Sequence, residues 1–160
     1  MSVNTISIDH IMLACRHMSE MQKSGLTENM SVRTLELFTD LYAKMLKGGT
    51  ATPHHVTQVS LWSVEALKIW DENPHLKPRN HLRVEHGTPR RHFARMVMKL
   101  YTDKQLNKTS LDQLVMRYWK LAVISLEEDR RLNKIARTVM YETPEERWAA
   151  ANIMFPDINV

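Results

Sequence analysis

The sequence predicts an all-α or mainly α domain, a compact multi-helix fold of about six to seven helices with one short two-stranded β element. Three observations predict it. Apolar residues recur at three- and four-residue spacing through most of the chain. The 160 residues hold only 4 Gly and 6 Pro but 11 Met, and Leu, Lys, Arg and Glu are abundant, a composition that favours helix. Two short stretches break the helical period: 82–86 alternates, and 121–125 is apolar without alternation.

The first helix is expected from Ser7 to Lys23, with Ile8, Ile11, Met12, Cys15 and Met18 on one face and Gly25 ending it. Ser31 is the expected cap of the second, which carries Leu35, Phe38, Leu41, Tyr42, Met45 and Leu46 inward and stops at Gly48-Gly49. Thr52-Pro53 reads as a helix-start pair. A helix from Ser60 to Trp70 follows, with Leu61, Val64, Ala66, Leu67 and Trp70 apolar, and then a loop marked by Pro74 and Pro78.

In "HLRVEH", Leu82 and Val84 alternate with Arg83 and Glu85, the two-residue period of a half-buried strand. On that alternation Glu85 shares the outer side with Arg83, and His86 shares the apolar side. Thr88-Pro89 opens a helix to about Gln105 with Phe93, Met96, Val97, Leu100 and Tyr101 inward. Ser110 with Gln113 forms a candidate capping box for Leu111 to Trp119. "LAVIS", 121–125, reads as a buried strand and the partner of 82–86. Ser125 with Glu128 is a second capping box, for a helix burying Leu132, Ile135, Ala136, Val139 and Met140. Its acidic first turn and basic later turns suit the helix dipole. Thr143-Pro144 with Glu146 opens a last short helix through Trp148 and Ala151.

A single domain over 1–160 is expected, large enough to hold itself without metal or disulfide. The loop at 71–80 is where an N-terminal helical half (1–72) and a C-terminal half (80–160) would part. The lone Cys15 suits a reduced compartment and a buried apolar role. No apolar run reaches the length of a membrane span, and "MSVNTISIDHIML" lacks the basic start and small-residue site of a signal peptide. The expected location is the cytoplasm, with no membrane partner.

Chemistry-bearing motifs are few. There is no P-loop, GxGxxG, GxSxG or CxxC, and no pair of histidines has the four-residue helical spacing of a zinc site. No catalytic set and no cofactor are expected. One stretch resembles HNH-type nucleases: a strand ending in Glu85-His86, a turn with Pro89, and an apolar strand followed by "SLEEDRRLNK". The resemblance implies a metal-dependent nuclease with His86 as general base. It departs from the family in three ways. A helix-loop-helix separates the strands, the orienting asparagine has no counterpart, and acids near Glu128 and Asp129 replace the metal-binding histidine.

Charge gives the leading expectation. The net charge is +4, yet 77–99 alone carries seven Lys or Arg and one acid, Glu85. Arg91, Arg95 and Lys99 recur every four residues opposite the apolar face of their helix, and Arg130, Lys134 and Arg137 repeat the pattern on a later one. These stripes, with Arg83 nearby, predict a small non-enzymatic accessory or regulatory protein that binds nucleic acid or a nucleic-acid-handling protein complex. The third reading is a helical protein-interaction module, inhibitor or homo-oligomer, with Trp62, Trp70 and Met30 at an exposed patch.

Overall fold

The computed structural model describes residues 5–48, 55–136 and 140–156. Among them run α1 (Ile8–Lys23), α2 (Glu28–Ser31), α3 (Arg33–Leu46), α4 (Val64–Glu72), β1 (Leu82–His86), α5 (Arg90–Thr102), α6 (Lys108–Tyr118), β2 (Leu121–Ser125), α7 (Leu126–Ala136) and α8 (Pro144–Ala150). Single 3-10 turns lie at Val56–Gln58 and Pro78–Asn80. This is the mainly helical class with one short β pair that composition and periodicity predict. By its contacts the chain separates into two compact units, Met1–Thr52 with Thr88–Trp119, and Pro53–Gly87 with Lys120–Val160.

The first unit is helical. Ile11, Ala14, Cys15 and Met18 of α1 are buried, as are Leu35, Thr39 and Tyr42 of α3, Phe93 and Val97 of α5, and Leu111 and Val115 of α6. Burying one such large apolar side chain contributes about 1.5–3 kcal/mol. Burial pushes the Cys15 thiol up to about 12, so it stays protonated and inert. Met12 turns outward and Ala14 takes the inward place, because the buried stripe of α1 is narrow.

Two starts differ from expectation for the same reason. Ser31 closes α2 rather than capping α3, and its hydroxyl donates back to the carbonyls of Thr27 and Glu28. Asn107, not Ser110, caps α6: its Oδ1 accepts from the Ser110 amide at 2.9 Å, while Ser110 Oγ accepts from the Asn107 amide at 3.0 Å. Ser and Asn bond both ways with nearby backbone, and the surrounding chain direction selects which does the capping.

The second unit is built on the sheet. β1 and β2 are antiparallel, with Leu82 opposite Ser125, Val84 opposite Val123 and His86 opposite Leu121. Both faces are covered, as the unbroken apolar run of β2 requires. One face packs Val84 and Val123 with Val56, Val59 and Ala66. The other packs Ala122 and Ile124 with Leu132, Trp148 and Ile153. The free edge of β2 is taken by 61–63, through Ser63 N–H to the Val123 carbonyl and Val123 N–H to the Leu61 carbonyl, both 2.9 Å. The helix expected from Ser60 therefore begins at Val64, with Ser63 as its cap.

The Ser125–Glu128 capping box forms as predicted. The Glu128 carboxylate is buried and also accepts from Ser63 Oγ at 2.6 Å, tying the start of α4 to the start of α7. Burial pushes its pKa up, while the Ser63 hydroxyl and Ser125 amide pull the other way. At Gly87 a Cβ would stand 2.4 Å from Pro144 Cβ and 2.8 Å from the Trp148 ring, so only glycine lets α8 close on the end of β1. Met140, expected inside, is two-thirds exposed. Thr52, Pro53, Val139 and the side chain of Ala136 lie outside the described residues.

Candidate nucleic-acid interface

α5 holds its basic residues outward, because its other face carries Phe93, Ala94 and Val97 into the core of the first unit. Arg91, Arg95 and Lys99 each have a carboxylate. Arg91 Nε donates to Glu36 Oε1 at 2.8 Å, and Arg91 Nη2 to Asn29 Oδ1 at 2.9 Å. Arg95 grips Glu28 through Nε and Nη2, with a shortest contact of 2.6 Å. Lys99 meets Asp103 at 2.6 Å. The Arg95 guanidinium holds the Glu28 carboxyl below the usual carboxylate range. The stripe expected to lack acidic neighbours is thus neutralised, because α2 and α3 bring their acids to it.

α7, in the second unit, is mixed. Arg130 pairs with Glu127 at 3.2 Å, one helical turn away. Arg131, not Arg130, makes the longer-range contact: it meets Glu65 at 3.6 Å and donates to the Ala151 carbonyl at 3.0 Å. Lys134 is exposed and has no acidic partner among the described residues. Arg137 lies outside them.

Arg83 has different surroundings. β1 pairs with β2 along one edge, and the turns Val56–Gln58 and Pro78–Asn80 pack beside it. Between these turns and β1 lies a groove of about 710 Å³, within the usual range of binding sites. Leu76, Leu82, Val84 and Val56 give it an apolar floor, and Lys77, Arg79, Arg83 and His55 line it. Among the described residues no carboxylate lines it. Arg83 Nη1 donates to the carbonyls of Arg79 at 2.6 Å and Leu82 at 3.0 Å, which fixes the guanidinium over the groove. Its Nε and Nη2 hydrogens have no partner among the described residues, so they can meet an anion. Lys77 and Arg79 were not singled out from sequence as site residues. Their signal was the absence of any acid from 73 to 84.

Glu85 is engaged by α8 through Arg147. Glu85, expected on the open side, is half-buried because α8 covers that face, and its Oε1 accepts from Arg147 Nη1 at 2.7 Å. Burial still pushes its pKa up, against the pull of Arg147. Arg147 Nη1 also donates to the His86 carbonyl at 3.1 Å. No three His, Cys, Asp or Glu side chains are arranged to hold a metal ion among the described residues. Trp62 is half-buried, with Nε1 on the Val59 carbonyl and its ring edge-on to Trp70, while Met30 and part of Trp70 are exposed.

The fold defines a mainly helical protein with a two-stranded sheet, and no helix of the described residues is long and apolar enough to cross a membrane. No protein-family model matches the chain, and neither curated proteins nor solved structures match it.

Proposed function

We propose that the protein is a non-enzymatic nucleic-acid-binding accessory protein whose contact is the groove beside β1. One observation carries this reading: among the described residues Lys77, Arg79 and Arg83 line a concave surface without a carboxylate, whereas Arg91, Arg95 and Lys99 of α5 are already paired. Cations without a carboxylate partner are the ones whose binding to phosphate releases counterions and so gains affinity. The contact would position nucleic acid by its phosphates.

The test is binding of a labelled oligonucleotide at low salt, followed through a salt titration. Arg79→Glu with Arg83→Glu is expected to weaken binding about 100-fold, since each reversal removes an attraction and adds a repulsion. Absence of binding at low salt, or binding that the double reversal leaves intact, would overturn the proposal.

A further inference from the structure

The groove does not end at its cations. Leu76 and Lys77 also border a second hollow, of about 490 Å³. His75, His81, Asn73 and Asn80 line this second hollow, and all four are exposed. We infer that the occupant of the double hollow is a single strand of nucleic acid, with phosphates on Lys77, Arg79 and Arg83 and bases in the two hollows, a reading that rests on the groove being the nucleic-acid contact.

The apolar floor favours a single strand over a duplex. A duplex offers phosphates on a convex surface and keeps its base faces stacked inside, so the part-exposed Leu76 and Val84 would find no base face to cover them. A single strand offers both an anionic backbone and apolar base faces. The apolar floor lies beside the cations, where one nucleotide presents base and phosphate together. Imidazoles are stacking partners for unpaired bases, and His75 and His81 stand in the second hollow.

The backbone adds base-edge contacts. Leu126 N–H to the His81 carbonyl and Gly87 N–H to the Lys120 carbonyl bracket the ladder. Residues 81, 83, 85 and 87 therefore bond toward β2, and 82, 84 and 86 turn their backbone groups to the other edge. The Leu82 and His86 carbonyls are taken by Arg83 and Arg147. The Val84 N–H and carbonyl have no partner among the described residues, and Val84 lines the groove. Among the described residues the only acid lining either hollow, Glu72, lies 4.0 Å from Lys68. It disfavours phosphate at that end and leaves the second hollow to a base.

Fluorescence anisotropy decides this with an oligothymidine of about twelve nucleotides, its matched duplex, and polyglutamate as competitor. The single strand is expected to bind at least about tenfold tighter than the duplex, with a log–log salt slope near −2 from about three contacts at ~0.7 each. His75→Ala with His81→Ala should weaken single-strand binding about three- to tenfold at an unchanged slope, since stacking releases no counterions. A duplex bound as tightly, or an unaffected histidine variant, overturns the single-strand inference and leaves the groove as a nucleic-acid contact. Neither probe binding at low salt brings down both. Polyglutamate displacing the probe as well as unlabelled oligothymidine does would reassign the groove to an acidic peptide and overturn the inference.

Discussion

On α5, Arg91 and Arg95 stand against Glu36 and Glu28, acids that are 55 and 67 positions away in sequence. Beside β1, Arg79 and Arg83 stand over aliphatic side chains, and one of them is steadied by backbone carbonyls. Both pairs belong to the same run of positive charge between Lys77 and Lys99. The difference teaches that local charge density counts charges but does not say which are available. An arginine already facing a carboxylate gains little from a phosphate, because it must first give up its partner.

That contrast can be broken by mutation. Reversing α5, with Arg91→Glu and Arg95→Glu, is expected to cost about 1–2 kcal/mol of stability in urea unfolding, since two partly exposed ion pairs become like-charge contacts. Oligonucleotide affinity should stay within about twofold of the unaltered protein. If affinity instead collapses, α5 is the contact and the groove is not. The comparison is sharpened by the opposite change. Glu28→Gln with Glu36→Gln removes the carboxylates and leaves the arginines, so it should raise low-salt affinity about two- to fivefold through newly available cations. An unchanged affinity would mean that the partners are not what silences the stripe.

The smallest expected effect is on pH. Arg95 lowers the folded-state pKa of Glu28, so the stabilisation is present above the usual carboxylate range and is lost as pH falls through the lowered value. Urea unfolding at neutral and acidic pH should show Glu28→Gln losing less stability on acidification than the unaltered protein. The difference should be under about 0.5 kcal/mol, because the pair is substantially exposed and screened by solvent. An equal acid response in both proteins would remove the Glu28–Arg95 pair as a source of stability.

Much of the fold was legible in the sequence. The pairing of 82–86 with 121–125 rests on two short breaks in helical period, and β1 and β2 have those bounds. The Ser125–Glu128 box and the Thr143 cap are local motifs whose partners lie three residues apart, so spacing suffices to find them. Other features were beyond a local reading. Leu61 to Ser63 have helical-looking neighbours but extend along β2, because an unpaired strand edge there would leave buried backbone groups unbonded. Glu85 obeys the alternation in direction, yet α8 covers its side and Arg147 meets it there.

The sequence by itself determined the mainly helical class, the two strands, and that positive charge concentrates between Lys77 and Lys99, because these follow from residue type and spacing along the chain. Only the tertiary structure decided which of those charges face acids and which line an open groove. Coulomb attraction acts through space, and the acids that quench α5 reach it from elements far away in the chain.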